Sequence, residues 1–259
     1  MKVVIRTQAE IGVLVADAVQ RLLESKPDAA LGLATGSSPL VVYSELVRRF
    51  EAGEISFAQA KAFTLDEYVG LPADHPESYR NVIGREFTDR VDFAPGAVRT
   101  PDGNAGDLPG DCADFERAIV DAGGVDLQLL GIGTDGHIAF NEPTSSLSSR
   151  TRVKRLHQQT REDNARFFGG DVDSVPEYAV TQGLGTIMDA RHVVLVAFGV
   201  GKAEAVAQLV EGPVSAMWPA TILQHHPHAT VLVDEAAAGR LVHTEHFRSE
   251  IARPGWPHI

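Results

Sequence analysis

The sequence predicts a single α/β domain built on a doubly wound, mostly parallel sheet with helices on both faces. Three observations carry this expectation. Short apolar, β-branched runs alternate with helical periods along the chain. Polar, glycine-bearing clusters directly follow several of these runs, where an open parallel sheet places its ligands. No low-complexity tract, internal repeat or Gly/Ser linker divides the 259 residues, so residues 1–259 read as one domain.

The elements follow in order. Residues 3–5 form a first strand. Thr7 then caps a helix, Glu10 completes a capping box, and Ile11, Leu14, Val15, Ala18 and Leu22 make its apolar stripe. Residues 31–34 read as a buried strand running into TGSSP. A helix with Tyr43, Leu46, Val47 and Phe50 on one face comes next. Residues 62–65, 127–132, 192–198 and 230–233 complete the strand set, with helical patterns near residues 107–120 and 202–210. Apolar strands separated by helices imply parallel pairing and right-handed crossovers.

Composition narrows the function classes. A net charge of −12 argues against a general nucleic-acid binder, and it requires a locally positive pocket for any anionic ligand. No stretch approaches the about 20 apolar residues of a membrane span, and the three-residue apolar run before Arg6 is too short for a signal peptide. The one cysteine, Cys112, cannot form an internal disulfide and reads as a small buried hydrophobe. A soluble, cytoplasmic protein is the expectation.

Four stretches carry chemistry. In LGLATGSSPL (31–40) a strand ends, Gly36 relieves the turn, Ser38 is placed to cap and Pro39 suits the first helical turn. The helix end and the hydroxyls of Thr35, Ser37 and Ser38 suit a phosphate, although a well-made turn explains the same residues. It is neither a Walker loop nor a dinucleotide fingerprint. In FTLDEYVGL (63–71), Asp66 and Glu67 follow an apolar strand. Extended backbone sends them to opposite faces, so at most one enters a pocket. That one could act as a general base, while alone the pair reads as a surface turn or cap.

The densest stretch is GIGTDGHIAFNEP (131–143). Asp135 and His137 lie two apart, which in extended backbone puts them on one side, and Glu142 follows. Carboxylates flanking a histidine orient it and favour its charged form, as an acid/base group requires. One histidine with carboxylates is an incomplete zinc set. The fourth stretch, residues 150–166, carries Arg150, Arg152, Lys154, Arg155, Arg161 and Arg166. It could bind phosphate or simply be a solvated face. Lys202 opens a helix after the strand at 192–198 and is a further anion ligand candidate. His225, His226 and His228 are interrupted by Pro227 and read as a turn, and Trp218 reads as packing.

Together LDEYVGL, HPESY (75–79), GTDGHIAFNEP, SSLSSRTR and ARFF resemble the glucosamine-6-phosphate deaminase/isomerase family, in order and through nearly the whole chain. The resemblance implies that Asp66 moves a proton between C2 and C1 of an open-chain amino sugar phosphate. His137 would act in ring opening, with Asp135 and Glu142 as its partners. Thr35, Gly36, Ser37, Ser38, Arg166 and Lys202 would hold the phosphate, and residues 155–176 would form a mobile lid. No metal and no nicotinamide or pyridoxal cofactor is implied. Some relatives are hexamers activated by N-acetylglucosamine 6-phosphate bound between subunits. Ser145, Arg152 and Lys154 match that effector motif, so a homo-oligomer, up to a hexamer, is expected. Arg155 replaces a small hydroxylated residue there, and Thr134 stands where many relatives have asparagine. Two other readings remain. One is a 6-phosphogluconolactonase-like hydrolase. The other is a non-catalytic sugar-phosphate sensor, against which stand the acidic charge and the lack of a preceding helix-turn-helix pattern.

Overall fold

The computed structural model describes residues 1–251. Its elements run β1 (Lys2–Ile5), α1 (Gln8–Ser25), β2 (Ala30–Leu33), α2 (Leu40–Glu51), β3 (Lys61–Thr64), β4 (Asp66–Tyr68), α3 (Tyr79–Glu86), β5 (Val98–Arg99) and α4 (Leu108–Asp121). Then come β6 (Leu127–Leu130), β7 (Arg152–Arg155), α5 (Gln158–Asn164), β8 (Tyr178–Thr181), α6 (Leu184–Met188), β9 (His192–Ala197), α7 (Ala203–Glu211), β10 (Ala229–Val233) and α8 (Thr244–Ile251).

Seven strands form one parallel sheet in the order β1-β10-β9-β6-β2-β3-β5. The α/β class with a mostly parallel sheet is therefore as the sequence predicts. Strand residues alternate between faces because side chains repeat every two positions. In β9, Val193, Leu195 and Ala197 join the core under α4, α6 and α7, while Val194 and Val196 join the core under α1 and α2. Both faces are thus buried, which is why these strands read as unbroken apolar runs. Thr7 caps α1 in a complete capping box with Glu10, and Asp107 caps α4 by accepting from Gly110 N–H.

Strand order fixes where a site can form. From β2 the chain moves outward to β3 and β5; from β6 it moves the other way to β9 and β10. The reversal lies between β2 and β6, and a crevice opens at such a switch point. The loops after β2 and β6 are the LGLATGSSPL and GIGTDGHIAFNEP stretches.

A second sheet was absent from the sequence reading. Here β4, β8 and β7 pair antiparallel in that order, Asp66 and Arg152 both opposite Thr181. It covers a separate small core of Tyr68, Leu71, Phe140, Leu156, Ala165, Val175 and Ala179. The strand expected at residues 62–65 ends at Thr64, and the chain switches sheets before Asp66. Edge strand β5 was missed as well, being only two residues long.

Candidate functional site

The loop after β2 is held from behind by a tyrosine. The Tyr43 hydroxyl accepts from Ala34 N–H at 3.1 Å and donates to Ala34 C=O at 2.7 Å. Gly36 turns the chain with φ 106°, in the left-handed region that glycine enters at no steric cost. Ser38 does not cap α2 as expected. Pro39 occupies the cap position without a side-chain bond, and the hydroxyls of Thr35, Ser37 and Ser38 belong to residues lining the crevice.

The crevice is a cavity of about 380 Å³ that gathers Thr35, Gly36, Ser37, Ser38, Asp66, His137, Arg166 and Lys202. Eight of the ten residues expected to contact or transform a substrate therefore share one pocket wall. Lys202 sits at the start of α7, where burial and then the nearby Arg166 disfavour its charge, against the pull of Asp135 and Asp163. Two cations facing one another in a half-buried pocket suit an anion that neutralises both.

Asp66 is buried at 5% exposure. Burial, then the neighbouring Glu67 charge, pushes its carboxyl well above the usual carboxylate range. Glu67 turns away from the pocket, as alternation predicts, and accepts the backbone N–H groups of Tyr68, Tyr79 and Arg80.

The loop after β6 is a tight turn, so the expected extended geometry is corrected. Gly133 N–H donates to His137 C=O at 2.9 Å, and Gly136 has φ 79°. This curl, not alternation, brings Asp135 Oδ1 to 2.6 Å from His137 Nδ1, and the same oxygen accepts His137 N–H at 3.2 Å. The ring contact is short but not aligned as a hydrogen bond, and it is an ion pair only when the imidazole is protonated. Burial alone would raise the Asp135 carboxyl; the His137 contacts outweigh it and hold the group below its ordinary value. A Cβ at Gly133 would collide with the His137 imidazole, so a larger residue there displaces the ring.

Glu142 departs from its expected place as a His137 partner. It is fully buried, yet its carboxylate accepts His157 N–H at 2.9 and 3.0 Å and the Thr160 hydroxyl at 2.5 Å. The reason is local. Ala139 takes φ 51° and Ile138 bridges Asn141, so the chain folds back after the histidine and Glu142 points under the 155–176 segment. Asn141 organises this reversal through Ile138 C=O, Gln182 C=O and the Arg152 guanidinium.

The basic stretch is dispersed. Arg150 pairs with Glu116 and Asp189, Arg155 faces Glu177, and Arg161 donates to the Val172 and Val175 carbonyls. Only Arg166 of the six lines the cavity. Segment 155–176, with α5, roofs it through Thr160, Asp163, Asn164, Arg166 and Phe167. Apart from Arg166 the sequence reading singled out none of these, nor Tyr79, although HPESY contains that tyrosine. Ser145 and Arg152 lie off the pocket. The Ser145 hydroxyl is buried without a partner among the described residues, and burial disfavours the Arg152 charge. Among the described residues no group of three or more His, Cys, Asp or Glu is placed to hold a metal ion. His226 is buried against Ala190 C=O, Cys112 is buried, and Trp218 packs over Gly136.

Known proteins bear on this geometry. Residues 6–232 match the family model described as glucosamine-6-phosphate isomerases/6-phosphogluconolactonase. A glucosamine-6-phosphate deaminase of Mycolicibacterium smegmatis is 67% identical over 99% of both chains. One from Streptomyces coelicolor is 56% identical over the full length of both. Among solved structures, a monomeric glucosamine-6-phosphate deaminase superposes with TM-score 0.89 at 42% identity, over 93% of this chain and 100% of that one. A 6-phosphogluconolactonase from Trypanosoma cruzi shares the fold, with TM-score 0.75 at 20% identity over 93% of this chain and 97% of that one.

Proposed function

The chain belongs to the glucosamine-6-phosphate isomerase/6-phosphogluconolactonase family, and from that premise we propose that it deaminates glucosamine 6-phosphate to fructose 6-phosphate and ammonia. The carrying observation is the placement of a buried carboxyl, Asp66, in the same cavity as His137 and a phosphate-type loop flanked by Lys202 and Arg166.

The helix end, Lys202 and Arg166 anchor the phosphate and so orient the far end of the sugar. His137, backed by Asp135, moves the proton that opens the ring at its oxygen. Asp66 takes the C2 proton, giving an enolamine, and a proton returns to C1. Water adds to the resulting C2 imine, and ammonia leaves as the C2 carbonyl forms. Glu142 contributes by anchoring the roof segment at Thr160 and His157, and that segment works as a lid. The single cysteine fits a cytoplasmic setting, and among the described residues no helix is long and apolar enough to cross a membrane.

The second proposed element is an N-acetylglucosamine 6-phosphate effector site at Ser145, Arg152 and Lys154. The Ser145 hydroxyl, without a partner among the described residues, supports it, as does an Arg152 guanidinium that donates to the neutral oxygens of Asn141 and Arg150. A homo-oligomer, up to a hexamer, belongs to this element, although one solved relative is described as monomeric.

A coupled assay with glucosamine 6-phosphate, following both products with and without N-acetylglucosamine 6-phosphate, is the test. Equal amounts of fructose 6-phosphate and ammonia are expected, with a saturation curve that shifts with the effector. Absence of both products sinks the deaminase reading, and turnover of 6-phosphogluconolactone in its place establishes the hydrolase. A monomeric mass in light scattering removes the between-subunit effector.

A further inference from the structure

Asp66 and Glu67 are consecutive and both buried, at 5% and 7% exposure, yet only Asp66 lines the cavity. The functional reading leaves Glu67 without a task. Burying an ionised carboxyl is costly unless its oxygens are fully hydrogen-bonded.

Glu67 is so bonded, and its partners are telling. Oε1 accepts Tyr68 N–H at 2.8 Å and Tyr79 N–H at 2.9 Å, and Oε2 accepts Arg80 N–H at 2.9 Å. All three donors are backbone groups. They call for an acceptor-only partner on both oxygens, which the ionised carboxylate supplies and an amide does not. Tyr79 and Arg80 are the first two residues of α3, so the charge also sits at the positive end of that helix.

These bonds join two pieces of the pocket. Tyr68 lies on β4, the strand that begins with Asp66. Tyr79 lines the cavity, and its hydroxyl reaches Thr35 of the phosphate loop. One carboxylate therefore ties the strand of the base to the helix end beside the phosphate loop.

We infer that Glu67 is a positioning residue for the base, fixing β4 to the start of α3 and setting its carboxylate beside Asp66. The inference rests on the reading of Asp66 as the base. The titratable and charged groups around the pair are Tyr68, Tyr79 and Arg80. Burial leaves the Glu67 carboxyl above its ordinary value, against the pull of the three N–H groups and the Arg80 charge. Burial keeps both tyrosines neutral. For Asp66, burial is the larger cause of its raised basicity and Glu67 the second. A base that draws a proton from carbon gains from basicity raised toward the working pH.

The test compares Glu67→Gln, Glu67→Asp and Asp66→Asn. It reads kcat and KM for glucosamine 6-phosphate across pH, exchange of the C2 proton with tritiated water, and melting temperature. Glu67→Gln is expected to lose about tenfold in kcat with KM changed by less than about threefold. Its acidic limb moves to lower pH, because Asp66 has lost its negative neighbour. Glu67→Asp keeps the charge but not the reach, so kcat falls and the limb stays. A folded Glu67→Gln with an unmoved limb overturns the inference. Should that variant fail to fold, Glu67→Asp decides: parental kcat overturns the positioning role, and reduced kcat with an unmoved limb sustains it. Retained exchange in Asp66→Asn instead removes Asp66 as the base, a failure of the functional reading distinct from any result at position 67.

Discussion

The seven-stranded sheet is apolar along nearly every strand, whereas the three-stranded sheet is written largely in charged and polar residues. Every position of β9 (HVVLVA) and β10 (ATVLV) is buried. By contrast β7 (RVKR) has no fully buried residue, and β4 (DEY) is buried but two of its three residues are carboxylates. The large sheet is held by apolar burial on two faces. The small one joins polar bonds such as those of Glu67 and Asn141 to a small apolar core of its own. Loops after the large sheet's strands bring residues 35–38, His137 and Lys202 to the crevice, and the small sheet delivers Asp66 into it while Arg152 on β7 lies off the pocket. Asp66 thus stands where burial disfavours its charge.

The sharpest way to break this contrast is Asp66→Asn. The expected loss in kcat is about 10²–10⁴-fold, the range of a positioned general base. Stability should move the other way. The folded carboxyl binds its proton more tightly than the unfolded one. Stability therefore falls as pH rises through the unfolded value toward the folded one, and it stays lowered above that. Asparagine carries no such charge, so the variant should melt higher than the parent at pH 7, with the gap closing in acid. A lower melting temperature at pH 7 would mean that the small sheet needs the carboxylate for its own integrity.

The large sheet has an acid weakness of the opposite sign, at the end away from the site. His192 begins β9, stacks on His228 with ring centroids 3.7 Å apart and contacts the Thr230 hydroxyl at 3.0 Å. Burial first, then His228, Lys2 and His226, holds it down to about 3. A folded value below the unfolded one gives stability that is complete above about pH 6.5. That stability is lost as pH falls toward the folded value, with a slope approaching about 1.4 kcal/mol per pH unit. Melting curves from pH 7 down to pH 4.5 should show the decline, and His192→Gln should flatten it. An equally steep decline in that variant would place the acid sensitivity elsewhere.

What the sequence disclosed follows the same division. The six apolar strands and the capping box at Thr7 are local signals, and each was readable within a few residues. The pocket was readable in its loops, because a helix start after Gly36 and a histidine beside Asp135 are local too. The small sheet was not, since β4 and β7 carry charges in place of an apolar run and the strands pair across long sequence separations, as Asp66 with Thr181. The bonds that Glu142 makes to His157 and Thr160 were not legible for a related reason. They depend on the left-handed Ala139, and a non-glycine residue with positive φ leaves no mark in the sequence. Arg150 and Arg161 were indistinguishable from Arg166 as charges; only the fold shows that Glu116 and the Val172 carbonyl already occupy them.

The smallest effect is expected at Arg155, which sharpens the comparison within one strand. Arg152 and Lys154 share one face of β7, two positions apart, and Arg155 falls on the other. Its guanidinium is 71% exposed and faces the half-exposed Glu177 carboxylate at 3.5 Å. Exposed pairs of this kind contribute about 0–1 kcal/mol. Arg155→Ala should therefore shift stability by less than about 0.5 kcal/mol in a melting experiment and leave kcat for glucosamine 6-phosphate unchanged. If the effector is held by Ser145, Arg152 and Lys154, its half-saturating concentration should also hold within about threefold, since about 0.65 kcal/mol separates a threefold change in binding. A larger change would bring Arg155 into the effector site, and the replacement of a small hydroxylated residue by arginine would then alter recognition.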